Sequence, residues 1–562
     1  MRFTLALVAT FLAAPILCFG SVAKAQEGGH AELVDLFREW RAFVEPAIVN
    51  GAPDYSATAI ARQRRGLISF QRRLRAIDAS AGPIPERIDH RLVMAEMNGL
   101  DFDIRVRQPW ARDPAFYMNV HSEYGDVPDH EGPSAHPQID LWSLPYPLSE
   151  DDARQLAVQL RMIPPMLDQA RRNLAHGNAR DLWIGGVREI QAQAELLASL
   201  EAGTLQVSDL EGRRLATLGG HGSEVAAAAD EARAATSAFA DWVAREAESK
   251  TGPSGVGREN YTWYLRNVHL SPYTWEEEVT LLRRELGRAH AALRLEEHRN
   301  RALPLLEPSA NAEAHARRSD EHLRKFVDFL TRAGMLPDER YTEPALRAQI
   351  GDFAPPEQRG FFAQASHREP MTMYAHSIHW VELARMRERP HQSPIRREAA
   401  LSNIFDNRSE GLATAFEEMV MHAGLYDDNP RAREIVWIML AQRAARGLAS
   451  LYAHANEMTL TEARAFQAAW TPRGWMVSDP ALAAWEQLFY LRQPGYGTSY
   501  VTGKIQFDAL IAAHGRAAEA RGERPELGDL FTAIADAGII PVSMLVWELT
   551  GNEHGGDPIA SP

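Results

Sequence analysis

Apolar residues recur at helical spacing along most of this 562-residue chain, and that period restricts its possible folds more than any other feature. Between residues 152 and 173 the stripe runs Ala153, Leu156, Leu160, Ile163, Leu167, and Gly177 with Asn178 closes it. Pro164 and Pro165 fall inside the stripe, where a missing N–H and a ring clash should kink or break the helix. Residues 276–299 repeat the style, with Leu281, Leu282, Leu286 and Leu293 among arginines and glutamates. Residues 431–454, 462–470 and 482–491 read as further helices. Strand-like alternation is short; 478–481 and 539–542 read as loops. The expected fold is all-α.

The first 25 residues read as a signal peptide. Arg2 supplies a positive start, an apolar run follows from Leu5 to Phe19, and Ala23-Lys24-Ala25 offers a small-x-small cleavage site. Leu17 precedes Cys18 where a lipid-attachment site wants a small residue, so a lipoprotein is not the expectation. Cys18 is the only cysteine, which leaves a mature chain without disulfides, thiolate ligands or a cysteine nucleophile. A chain of this length buries a large core without such staples. The bacterial periplasm is the expected location.

The formal charge is −15, and removal of Arg2 and Lys24 with the signal leaves −17. Such a balance opposes binding to nucleic acid or to an anionic membrane. No later apolar run reaches the roughly 18 residues of a spanning helix, so no membrane insertion is expected after cleavage. The break Lys250-Thr251-Gly252-Pro253-Ser254-Gly255 divides the chain into an N-terminal helical half, 26–250, and a C-terminal helical half, 251–562. The stretch 125–147, rich in prolines and histidines, reads as an irregular loop.

Candidate chemistry concentrates between residues 371 and 504. On a helix through 371–383, His376, His379 and Glu382 are three apart and share a face. Two imidazoles and a carboxylate there ligate zinc, position a substrate, or pack as polar residues. A zincin helix has H-E-x-x-H, whereas here the histidines are three apart and Ser377 stands where glutamate would. A second helix opens near Asn407 or Ser409 as cap and carries Glu410 and Glu417 seven residues apart on one face. Glu410 suits a helix N-terminus electrostatically. Glu417, beside Phe416, needs a partner, for which Arg443 or Arg446 is available.

Arg443, Arg446 and His454 lie on a helix of small apolar residues, as ion-pair partners or as holders of a substrate carboxylate. The loop 494–504 brings Gly495, Gly497 and Gly503 close to Tyr496 and Tyr500; glycines admit a ligand to the backbone, and a tyrosine hydroxyl can donate to an oxyanion. His130-Glu131 with His136 mimics a zinc motif, but Pro133 forbids a regular helix through it.

Several of these segments resemble a known bacterial family, domain of unknown function 885. Glu410-Gly411-Leu412-Ala413-Thr414-Ala415-Phe416-Glu417 resembles its E-G-W-A-L-Y-x-E segment. Arg443-Ala444-Ala445-Arg446 with His454 resembles R-A-x-R-L-V-V-D-x-G-x-H, and Pro494 to Lys504 resembles P-G-Q-A-x-S-Y-x-x-G. Upstream, Gly255-Val256-Gly257-Arg258-Glu259-Asn260-Tyr261 with Trp263-Tyr264-Leu265 resembles its G-x-x-x-Y-x-x-x-L segment. The resemblance implies a two-halved helical protein with a deep central channel, similar to gluzincin-type helical metallopeptidases. It also implies zinc held by an H-E-x-x-P-G-H motif and the E-G-W glutamate, here Glu410. Met373-Tyr374 stand where that His-Glu pair aligns, Leu412 replaces the tryptophan, and Ser450 replaces the aspartate.

Three functions are compatible with this reading. The first is an exported metal-dependent hydrolase of peptides or related amides, with His376, His379 and Glu410 on zinc and Glu417 or Glu382 activating water. Tyr500 would then assist catalysis, and Arg443, Arg446, His454 and Tyr496 would bind a peptide or small-molecule substrate. The second is an inactive periplasmic binding or assembly protein. The third is a metal-free hydrolase or lyase using histidine as acid and base.

Overall fold

A computed structural model describes residues 19–125, 133–336 and 339–553. Residues 1–18, including Cys18 and most of the signal segment, and the pair His130-Glu131 lie outside the described residues. The described chain is all-α. Its strands form three two-stranded pieces: Ile48–Val49 with Ala52–Pro53, Val120–His121 with Ile139–Asp140, and Gln206–Asp209 with Gly212–Leu215. Among the described residues no helix is long and apolar enough to cross a membrane.

Local chemistry sets the helix ends. Thr274 and Glu277 form a reciprocal capping box at the head of Trp275–Arg299, and Thr459 with Glu462 does the same for Leu460–Trp470. The predicted helix 152–173 is two helices, Glu150–Leu160 and Ile163–Asn173. Its two prolines sit in the first turn of the second, where their missing N–H groups cost nothing.

One apolar core gathers residues from 52 to 247, around the paired helices Arg180–Glu201 and Gly222–Ala247. A larger core joins Trp40, Leu67 and Val93 of the first three helices to residues from 256 to 547. At its centre runs Ala432–His454, with every residue from Glu434 to His454 buried. It packs against Trp275–Arg299, Leu460–Trp470, Pro480–Arg492 and Tyr496–Arg521. A helix covered on all sides cannot show an amphipathic stripe. Its Ala441, Ala444, Ala445, Gly447 and Ala449 let neighbours approach, and its charged residues must find partners inside.

Three expectations are corrected near the site. Residues 371–383 are not one helix: Met371–His376 and Ile378–Glu388 break at Ser377 (ψ 11°), whose hydroxyl donates to the Met373 carbonyl at 3.0 Å. Residues 494–504 are not a loop, because Gly495 turns the chain in a left-handed conformation and Tyr496–Arg521 starts at once. The glutamate helix begins at Asp406 with Phe405 as its cap, so Asn407 and Ser409 lie within it.

Candidate functional site

Three helices deliver the two histidines and Glu410. His376 ends one short helix and His379 opens the next. The bend at Ser377 places their rings 5.1 Å apart and edge to face. Glu410 comes from Asp406–His422 and lies fully buried beneath them. One ligand atom from each of His376, His379 and Glu410 falls within 4.8 Å of the others, so a single point lies within about 2.8 Å of all three. His376 Nε2 stands 3.4 Å from Glu410 Oε2, the separation of two ligands each about 2.1 Å from a tetrahedral ion.

The free valences of this triad are the informative feature. His379 is 3 % exposed, yet neither of its ring nitrogens has a hydrogen-bond partner among the described residues, and Glu410 Oε2 has none either. Buried polar atoms are rarely left so, since each costs about 1–3 kcal/mol unpaired. The other carboxylate oxygen, Oε1, accepts from Tyr496 at 2.7 Å and Tyr500 at 2.9 Å, which fixes the carboxylate with Oε2 toward the histidines. The donor set, two imidazoles and one carboxylate, suits zinc with a fourth position open.

Electrostatics follow the same geometry. Burial alone would raise the Glu410 carboxyl, but His376, His379 and Tyr496 overcome it and hold the group down at about 2. Burial drives His379 down to about 3 against the pull of Glu410, so its imidazole is neutral at ordinary pH, the form that can ligate a metal. For His376, burial and Arg443 push down, but Glu410 and Glu417 outweigh them and the net shift is upward.

The remaining predicted residues fall into two groups. Glu417 lies behind the triad, with Oε1 3.1 Å from His376 Nδ1, and Arg443 donates to both its oxygens at 2.7 and 2.8 Å. Arg446 pairs with Glu486 and lies 4.0 Å over the Tyr500 ring. Arg443, Arg446, Tyr496 and Tyr500 line, with both histidines, a cavity of about 460 Å³. Glu382 is not with them: past the Ser377 break its carboxylate meets both terminal nitrogens of the buried Arg408. His454 is also elsewhere, fully buried, its Nε2 2.9 Å from the Tyr490 carbonyl and its ring against Tyr261.

The sequence reading missed the aromatic wall of this cavity, Trp380, Trp485 and Phe489. Trp485 and Phe489 are four apart on one helix and stack at 5.0 Å, a spacing that was available to find them. It also missed Glu486, which holds Arg446 and accepts from Gln442 at 3.2 Å.

Fold and site together define a large all-α protein carrying a buried two-histidine, one-carboxylate cluster over a deep cavity. The chain belongs to the family described as bacterial protein of unknown function (DUF885), whose model matches residues 49–354, more than half its length. The triad lies beyond the matched segment. Two solved structures share the fold over nearly their whole length. One is a candidate lipoprotein of unknown function from Shewanella oneidensis, 14 % identical, TM-score 0.62, covering 93 % of this chain and 98 % of that one. The other is a candidate lipoprotein from Colwellia psychrerythraea, 13 % identical, TM-score 0.64, covering 92 % and 98 %. No curated protein sequence matches the chain significantly.

Proposed function

We propose that this protein is an exported metal-dependent hydrolase of peptides or related amides, with zinc held by His376, His379 and Glu410. The observation that carries the reading is the buried His379, with neither ring nitrogen hydrogen-bonded among the described residues, within ligand-sharing distance of Glu410 and His376. Zinc there supplies Lewis acidity toward a substrate carbonyl and acidifies water. The chain's own residues hold the arrangement. Tyr496 and Tyr500 fix Glu410, and the Glu417 carboxylate 3.1 Å from His376 Nδ1 favours a proton on that nitrogen, which leaves Nε2 for the metal.

Glu417 is already engaged by Arg443 and His376, so its part is to position His376 and not to take a proton from water. Glu382 has no part in the reaction, because Arg408 holds it outside the cavity. Tyr500 borders the cavity and the triad together, so its hydroxyl can turn from Glu410 to a substrate oxygen. The aromatic wall suits the apolar side chains of a peptide. Export is supported by the signal-like first 25 residues and by the two candidate lipoproteins that share the fold.

The deciding experiment is zinc content of tag-free protein after dialysis, with peptide-library hydrolysis measured with and without chelator. About one zinc per chain, lost in His379→Ala, with hydrolysis lost in chelator and restored by zinc, supports the proposal. Zinc without hydrolysis would make the protein a metal-bearing binding protein. Hydrolysis indifferent to chelator but lost in His379→Ala would replace the metal by histidine acid-base chemistry.

A further inference from the structure

A larger cavity, about 550 Å³, lies apart from the triad, between the N-terminal helices and the segment 394–403. The local backbone around it is unusual in three places. Asp103–Arg107 forms a π-helical turn, a deformation that recurs at binding sites, and both end residues line the cavity. Gln108 follows it at φ 44°, and the consecutive residues Ser402 and Asn403 are left-handed at φ 64° and 48°. Conformations of this kind persist only where surroundings enforce them. Here Tyr264 donates to the Ser402 carbonyl at 3.1 Å, and Gly99 leaves room for the Ser402 side chain, which a Cβ would strike.

What this backbone presents is a pair of side-chain amides. Asn403 and Gln493, 3 % and 6 % exposed, both line the cavity and hydrogen-bond to each other. The pairing uses one amide N–H and one amide oxygen. Asn403 Oδ1 and Gln493 Nε2 are then without partners among the described residues. Turning both amides over exchanges the roles but still leaves one acceptor and one donor side by side. A buried donor and acceptor side by side match a group whose own N–H and C=O point the same way, as in a primary carboxamide; in a trans peptide unit the two point in opposite directions. The same cavity is lined by Trp40, Tyr55, Trp110, Phe116 and Tyr264, whose rings offer apolar faces to a bulky side chain, and by charged groups such as Arg41, Glu96, Asp103 and Arg107.

We propose that this cavity is a second binding site, which takes a primary carboxamide with an adjacent aromatic or large apolar side chain. Asn403 and Gln493 read the amide, and the aromatic wall holds the side chain. The proposal does not depend on zinc or on hydrolysis at the triad. Both cavities nevertheless meet one short turn, because the Gln493 carbonyl accepts the Tyr496 N–H at 3.3 Å and Tyr496 holds Glu410.

The test is direct binding of N-acetylphenylalaninamide to the full mature chain, by ligand-observed NMR and calorimetry. N-acetylphenylalanine methyl ester serves as the probe that lacks the terminal amide N–H. The amide should bind saturably and at least about tenfold more tightly than the ester. Asn403→Asp tolerates the left-handed backbone but turns the two unpaired atoms into two acceptors, so it should remove that preference. Gln493→Glu should do the same, and His379→Ala should leave binding intact. No saturable binding, equal affinity for amide and ester, or a preference that survives Asn403→Asp overturns the proposal. Loss of binding in His379→Ala would instead place the probe in the triad cavity. The amide-ester comparison on unmodified protein keeps the test valid if a variant fails to fold.

Discussion

Glu417 Oε1 lies 3.1 Å from His376 Nδ1 while Arg443 grips the same carboxylate through both oxygens. This arrangement gives the carboxylate two tasks. It sets which nitrogen of His376 carries the proton, and it neutralises an arginine buried in the central helix. The first task links it to metal binding, the second to stability, and substitutions can separate them.

Glu417→Gln keeps shape and hydrogen bonding but removes the charge behind His376. Zinc affinity should fall about 10- to 100-fold, the usual cost of losing a carboxylate behind a ligand histidine. Competition against a chromophoric chelator measures it. Unchanged affinity would show that Glu417 acts on Arg443 alone.

Arg443→Met leaves Glu417 buried with only a histidine beside it. Breaking one side of a buried pair costs roughly 3–5 kcal/mol, whereas replacing both sides with apolar residues is often neutral. Urea denaturation of metal-free protein should therefore show Arg443→Met well below the double variant Arg443→Met/Glu417→Leu. Equal stabilities would mean that water already reaches the pair.

Acid should weaken the metal-free fold between pH 6.5 and 3. Burial lowers His269 to about 3, His379 to about 3 and His454 to about 4, so the folded chain binds fewer protons there than the unfolded one. Stability thus rises with pH through that window and is complete above the unfolded histidine value near 6.5. Glu278 works the other way: burial raises it to about 8, so its contribution is present at low pH and lost as pH rises through about 8. His454→Gln preserves a donor for the Tyr490 carbonyl without a titrating group, and its stability should fall less steeply from pH 6.5 to 4. An unchanged slope would remove His454 from this account.

Helical periodicity made the fold legible, because most helices bury one face and expose the other. It carried less information for Ala432–His454, which is buried all round, yet the small residues and arginines there still marked a packed interior. The triad was legible residue by residue, but its geometry was not. No local pattern marks the break at Ser377, which separates Glu382 from the histidines it shared a predicted face with. The glycines of 494–504 were misread for a physical reason. They suggest a loop, yet Gly497 and Gly503 sit inside a helix because neighbours crowd them: a Cβ at Gly497 would lie 2.7 Å from Ser450 Oγ. The amide pair Asn403 and Gln493 is ninety residues apart in sequence and had no signal to find it.

The same crowding yields the last prediction. Helices Asp406–His422 and Tyr496–Arg521 cross at Gly411 and Gly503, where a Cβ on Gly411 would stand 2.5 Å from the Gly503 Cα. A Cβ on Gly503 would collide with the Asn407 carbonyl oxygen, a backbone atom that cannot swing aside. Gly503→Ala must therefore part the helices, and these helices carry Glu410 and its donors Tyr496 and Tyr500. Overpacking of this kind costs about 1–3 kcal/mol, and zinc affinity should fall alongside stability as the tyrosines draw back. Gly515→Ala is the control on the same helix, since nothing lies within 4 Å of its Cβ and alanine favours a helix by up to about 1 kcal/mol. Denaturation midpoints and zinc titrations on the two variants should diverge; if Gly503→Ala proves as stable and as tight for zinc as Gly515→Ala, close packing of these helices is not what holds Glu410 in place.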